Sequence, residues 1–416
     1  MGVLMTPDFE QEKKLEDKYV MHTYGRKPVE FVEGHGMKLY DTEGKEYLDF
    51  LAGIAVVGLG HSHPAVVAAM QEQAAKLVQT SNYYYVNGRG ELAEKISGLM
   101  NAHIEDDSKK QDYKTFFCNS GAEANEGAFK LARRYSDAIG RKNAKTILFL
   151  RDSFHGRTLA TIAATGQPSK QEIFKPLPDG FTQIEPNSID SFLAALDDPA
   201  TGEVCAVIVE CIQGESGVNP CTAEYLEALR EETEKRQILM IIDEVQTGFF
   251  RCGTYPFCFQ RFGIVPDIVT MAKGIANGVP MGAFAARAEV ADAFQPGDHG
   301  STFGGNQFAI SVSNATIDTL ISEHLGENAE IVGEYLAERL SSLDMVELVR
   351  GMGLMRGAKL KKDIAPEVVS KGLEKGLVLN NPKKDVLRFV PPLICTKEDV
   401  DVMIERLAQI FDEIEA

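Results

Sequence analysis

Five runs of continuous apolar residues, rich in β-branched and aromatic side chains, recur through the middle of the chain at 115–118, 146–150, 204–209, 238–242 and 268–271. A strand with one wet face alternates apolar and polar residues, so an unbroken apolar run marks a strand covered on both faces. Helix-period segments lie between the runs, as at 122–135 and 223–236. The alternation predicts an α/β domain with a mostly parallel, helix-covered central sheet. In such sheets ligands collect beyond the carboxyl ends of the strands. Chemistry is therefore to be sought at Asn119-Ser120-Gly121, Arg151 to Arg157, Glu210 to Glu215, Asp243-Glu244-Val245-Gln246 and Lys273-Gly274, each just past a run.

The flanks read differently. From Gln307 long helices (309–323 and 328–343) give way to short strands near 354–360 and 386–389 and a last helix from Lys397, a smaller α+β domain. Before the large domain, Phe31, Lys38-Leu39-Tyr40 and Tyr47-Leu48 around turns at Gly34 and Gly44 predict a small hairpin sheet. The expected division is an N-terminal segment over 1–60 packing with the small domain, a large domain over 61–306 and a small domain over 307–416.

Ser120-Gly121-Ala122-Glu123 follows a strand and opens a helix, which leaves free N–H groups and a positive dipole end where a phosphate would bind; Ser-x-x-Glu is equally an ordinary capping box. Asp243 ends a buried run, where an unpaired carboxylate is costly. It calls for a cationic partner or a helix to cap. Lys273 follows the next apolar run; in a partly apolar site such an amine is a Schiff-base nucleophile, and on a surface it is only a solvated charge. Together the three are what pyridoxal phosphate requires: an anion cradle, a carboxylate for the pyridine nitrogen and an amine for the aldehyde. Phe154 could stack on a pyridine ring or simply fill core.

Other classes fail on the same residues. There is no Walker A loop, Gly351-Met352-Gly353 lacks a third glycine, Gly-x-Ser-x-Gly is absent, and His61-Ser62-His63 before Pro64 reads as a turn, so no metal is expected. A net charge of −18 with no basic run disfavours nucleic acid and anionic membranes. The seven cysteines show no C-x-x-C pair, and the opening residues from Met1 to Lys18 are polar, which together fit a reducing cytoplasm and no membrane insertion.

Asp243-Glu244-Val245-Gln246-Thr247-Gly248, Ala272-Lys273-Gly274, Ser120-Gly121-Ala122-Glu123-Ala124-Asn125 and Ser301-Thr302-Phe303-Gly304-Gly305-Asn306 resemble the class III pyridoxal-phosphate aminotransferases over nearly the whole chain. Thr23-Tyr24-Gly25-Arg26, the stretch from Tyr47 to Val56, Ser153-Phe154-His155-Gly156-Arg157-Thr158 and Arg388-Phe389-Val390-Pro391-Pro392-Leu393 are most similar to the acetylornithine subgroup. Cys211 and Cys252 stand where that pattern usually has proline and threonine. The resemblance implies fold type I and a homodimer with active sites at the subunit interface. It implies Lys273 as the Schiff-base lysine and Asp243 at the pyridine nitrogen. Ser120, Gly121, Ala122, Phe154, His155, Glu244, Val245 and Gln246 would complete the cofactor site, with Thr302 reaching the phosphate from the other subunit. It further implies Arg157 on a substrate carboxylate, Tyr24 and Ser301 lining the pocket, and Arg388 on the carboxylate beside the reacting carbon, with Glu215 able to pair with that arginine. The implied reaction moves the distal amine of N2-acetyl-L-ornithine to 2-oxoglutarate. Ornithine, 4-aminobutyrate and N-succinyldiaminopimelate are the alternative donors, and an aminomutase is the alternative reaction.

Overall fold

The computed structural model describes residues 8–415, so the first seven residues of the polar opening segment lie outside it. Strands β1 (Phe31–His35), β2 (Lys38–Asp41) and β3 (Glu46–Asp49) form an antiparallel meander, as the sequence suggests. The first turn falls at Gly36, with φ +56, and not at Gly34. Gly34 lies inside β1, where a Cβ would come within 2.9 Å of the His61 side chain.

Next come β4 (Tyr113–Cys118), β5 (Thr146–Leu150), β6 (Phe181–Ile184) and β7 (Val204–Val209), then a short hairpin of β8 (Ile212–Gln213) and β9 (Asn219–Pro220). The run continues with β10 (Leu239–Asp243), β11 (Ile268–Met271) and β12 (Gly282–Arg287). Seven of these build the central sheet in the order β4-β12-β11-β10-β7-β5-β6. Every neighbour pair is parallel except the two made by β12. The five predicted runs are five of its strands. β6 and β12 were not foreseen, and alanine-rich Gly282-Ala283-Phe284-Ala285-Ala286 shows why: its small residues carry little β propensity.

Successive strand residues point to opposite faces. Leu239 and Ile241 of β10 accordingly join a core with Phe129, Phe149 and Phe284, whereas Met240 and Ile242 join the larger core on the other side. That is the physical content of an unbroken apolar run. One face is covered by the helix Gly121–Ala138, whose Ser120 side chain caps the amide of Glu123 at 3.1 Å.

After the helices Gln307–Ser322 and Leu325–Ser341, β13 (Val346–Met352), β14 (Met355–Leu360), β15 (Leu377–Val378), β16 (Asn380–Lys383) and β17 (Val386–Phe389) follow, and the helix Lys397–Glu415 ends the fold. Four of these strands make an antiparallel sheet in the order β13-β14-β17-β16. The fifth, β15, adds in parallel to β3, so the opening meander and the C-terminal part share one sheet. No helix among the described residues is long and apolar enough to cross a membrane.

The covering helix sits so close to β12 that a Cβ on Gly127 would meet the Phe284 ring at 2.2 Å. Overpacking costs about 1–3 kcal/mol, more than the ~1 kcal/mol an alanine gains in a helix interior. Gly127→Ala is therefore expected to lower the urea midpoint; an unchanged or higher midpoint would contradict this packing.

Candidate active site

The carboxyl ends of β4, β5, β7 and β10, together with the turn after β11, open on one cavity of about 400 Å³. Its walls include Ser120, Gly121, Ala122, Phe154, His155, Arg157, Glu215, Asp243, Val245, Gln246 and Lys273, eleven side chains or backbone positions that the sequence singles out.

Asp243 is the last residue of β10 and is buried. Its Oδ2 accepts from Asn125 Nδ2 and from His155 Nδ1, both at 2.8 Å, and its Oδ1 accepts from the Val245 amide at 3.0 Å. The sequence calls for a cation or a helix to cap; the side-chain partners that the structure supplies are a histidine and an amide from two other segments. His155 Nε2 and Asn125 Oδ1 are buried without a hydrogen-bond partner.

Lys273 opens the turn after β11 with φ +47, a left-handed backbone that a residue with a side chain rarely adopts. Strain of that kind costs about 1–3 kcal/mol and persists where the surroundings impose it. Burial draws the Lys273 amine down to about 8, against the pull of Glu215. At the helix start, the amides of Gly121 and Ala122 have no acceptor among the described residues, and a Cβ on Gly121 would lie 2.8 Å from Val245. The anion cradle and the loop after β10 are in contact there.

Arg388 on β17 is fully buried. The β16–β17 register sets Asn380 opposite it, and Asn380 Oδ1 accepts from Nε at 3.1 Å and Nη2 at 2.8 Å. Its Nη1 donates to Glu215 Oε1 at 2.5 Å and to Gln246 Oε1 at 3.3 Å. Burial alone would raise the Glu215 carboxyl, but Arg388 outweighs it and holds the group at about 2. Glu215 lines the cavity and Arg388 does not. Arg157, by contrast, is exposed, and its guanidinium lies 5.6 Å from the centre of the Phe154 ring.

Not every expected residue converges. Glu244 is fully buried but does not line the cavity: its carboxylate turns into the core, accepting from Thr247 Oγ1 at 2.5 Å and the Phe259 amide at 2.8 Å. Tyr24 is 79% exposed and belongs to a separate cleft beside Phe9 and His22. Ser301 lines a different cleft, though its Oγ accepts from Asn119 Nδ2 at 3.2 Å, and Thr302 is exposed, away from its own chain's cavity.

Two residues given no role from sequence matter here. Asn125 bridges Asp243 and the His155 carbonyl. Glu210 directly follows β7, much as Asp243 closes β10, and accepts from the Phe154 amide at 2.9 Å. Burial, reinforced by Asp243, pushes its carboxyl well above the usual range. The strand-end argument that found Asp243 applies equally to Glu210.

The donor set fits pyridoxal phosphate: two free amides at a helix start, a buried carboxylate and an amine of lowered pKa share one cavity. Comparison with known proteins agrees. Residues 19–411 match the family model "Aminotransferase class-III". The chain belongs to that family. It is 44% identical to an acetylornithine aminotransferase of Methanocaldococcus jannaschii, over 96% of this chain and 98% of that one, and 44% identical to one of Aquifex aeolicus, over 94% and 100%. Among solved structures, the acetylornithine aminotransferase of Elizabethkingia anophelis superposes with a TM-score of 0.83 at 32% identity, covering 98% of this chain and 100% of that one. An ornithine aminotransferase of Toxoplasma gondii gives 0.89 at 31%, covering 98% and 96%.

The core position of Glu244 has a measurable consequence. Burial, partly offset by its bond from Thr247, pushes this carboxyl from 4.5 up to about 7. The folded protein then keeps a proton that the unfolded chain releases. Stability from this group is whole below the unfolded value and is lost as pH rises through about 7, an amount on the order of 3 kcal/mol. Glu244→Gln should therefore gain thermal stability relative to the parent on going from pH 5 to pH 8, and a difference independent of pH would refute the assignment.

Proposed function

We propose that this chain transfers the distal amine of N2-acetyl-L-ornithine to 2-oxoglutarate, giving N-acetyl-L-glutamate 5-semialdehyde and L-glutamate, a step of arginine biosynthesis. The observation that carries the reading is the closed Arg388–Glu215 pair beside an open Arg157. A distal-amine donor keeps its carboxylate far from the reacting carbon, whereas glutamate has one carboxylate far and one near. Arg157 serves the far carboxylate of both. Arg388 serves the near carboxylate of glutamate, and Glu215 neutralises it while the other donor is bound.

Pyridoxal phosphate, when bound, supplies an aldehyde for the amine and a protonated ring that takes up electron density. Gly121 and Ala122, with Ser120, would hold its phosphate, Phe154 would stack on the ring, and Asp243, fixed by His155 and Asn125, would hold the proton on the ring nitrogen. Val245 and Gln246 would complete the contacts. An amine near 8 is partly unprotonated at neutral pH, so Lys273 Nζ can attack a carbonyl and can later take the proton from the substrate carbon that bears the migrating nitrogen.

The working unit in this reading is a cytoplasmic homodimer, with Thr302 reaching the phosphate across the interface and Tyr24 and Ser301 lining the pocket. Support for the dimer comes from Tyr83, Tyr85 and Phe303, at 94%, 103% and 62% exposure, around the Asn82 contacts to the Ser301 and Gly304 carbonyls. The division at residues 60 and 306 belongs to the same reading.

Acetylornithine, ornithine, 4-aminobutyrate and N-succinyldiaminopimelate, each assayed for glutamate formation from 2-oxoglutarate, test the function; acetylornithine is expected to give the highest kcat/KM, and its failure would sink the reading. Stopped-flow measurement of the separate half-reactions tests the division between the arginines. Removing one partner of a buried ion pair costs about 3–5 kcal/mol. Arg388→Ala should accordingly slow the glutamate half-reaction by about 100-fold or more and the acetylornithine one far less, whereas Arg157→Ala should slow both. Equal losses in Arg388→Ala would show the division to be wrong.

A further inference from the structure

Resting on that reading, we propose that Lys170 is a third carboxylate-binding cation beside Arg157 and Arg388, sharing with Arg157 the substrate carboxylate remote from the reacting carbon. Lys170 lies on the short helix Pro168–Gln171 and is half-buried. Its Nζ stands 5.0 Å from the centre of the Phe154 ring, the same ring that Arg157 covers at 5.6 Å. Both cations lie against this ring, and the Arg157 charge is felt at Lys170; like charges so placed repel, and a phenyl quadrupole offsets only a small part of that. Among the described residues neither cation has a carboxylate partner; Lys170 donates only to the Gln167 side chain.

The acidic groups close enough to be felt at Lys170 are already committed. Glu215 is bound to Arg388 at 2.5 Å. Glu210 accepts from the Phe154 amide and is biased by burial towards its neutral form. The charge at Lys170 and Arg157 thus stays unbalanced inside a chain whose net charge is −18, which marks the place for an anion from outside. A carboxylate has two oxygens, enough for the guanidinium on one and the ammonium on the other. Burial lowers the Lys170 amine, and the neighbouring Arg157 adds to that against the pull of Glu215; an anion placed between the two cations would reverse it.

The competing role is structural, a tether for the short helix through Gln167, and the two roles part on binding. The test uses the holoenzyme with Lys170→Met, Lys170→Gln and Lys170→Arg, steady-state kinetics for acetylornithine and 2-oxoglutarate, and calorimetric titration of glutarate, a dicarboxylate without a reacting group. Both neutral variants are expected to raise both KM values and weaken glutarate by about ten-fold, the scale of one charge-assisted hydrogen bond, with kcat nearly unchanged. Lys170→Arg should restore most of the loss. Unchanged KM and glutarate affinity in whichever neutral variant folds would overturn the proposal, as would an equal loss in Lys170→Arg. Should the parent enzyme prefer another ω-amino donor, the function fails while this comparison, repeated with that donor and with glutarate, still decides the role of Lys170.

Discussion

A carboxylate at the end of a strand covered on both faces must find partners or lose its charge, and Asp243 finds them in three places at once. Asn125 comes from the covering helix, His155 from the loop after β5, and the Val245 amide from the chain just beyond β10. Each of those segments also lines the cavity through other atoms: Gly121 and Ala122, Phe154 and Arg157, Gln246. Satisfying one buried charge therefore sets the relative positions of the anion cradle, the aromatic platform and the loop. Removing Asp243 would disturb geometry as well as electronics, because its oxygens are the shared fixed point.

Burial sorts the ionisable groups of the site into distinct kinds. Glu210 is pushed towards its neutral form, Glu215 is held charged by Arg388, and Lys273 is brought near neutrality. Three groups on strand ends and the loops that follow them are thus shifted in different ways by the one site. In the same low dielectric Arg388 is satisfied from within by Glu215, and leaving it unsatisfied would be the costly state.

What was legible in the sequence was whatever a strand end must do. The apolar runs located β4, β5, β7, β10 and β11, and the residues after them proved to line one cavity. β12 was invisible because Ala283, Ala285 and Ala286 carry little strand propensity: Ala286 packs with Phe284 in the core under the covering helix, and Ala283 and Ala285 in the core on the opposite face. Glu244 was misplaced because adjacency in a motif says nothing of side; its neighbours Asp243 and Val245 face the cavity while it turns to Thr247 and Phe259. Lys170 carried no signal at all. Only the fold brings it to the ring of Phe154.

The pairing of β3 with β15 ties the beginning of the chain to its end. During synthesis on the ribosome, β3 has its β2 neighbour at once but must wait for nearly the whole polypeptide before Leu377 can pair with Leu48. Until then it presents an open strand edge, the kind of surface that invites pairing with another chain. Loop closure of that length also makes this contact slow to form. The meander is thus made early and completed late, which sets the interval in which the nascent chain needs shielding from its neighbours.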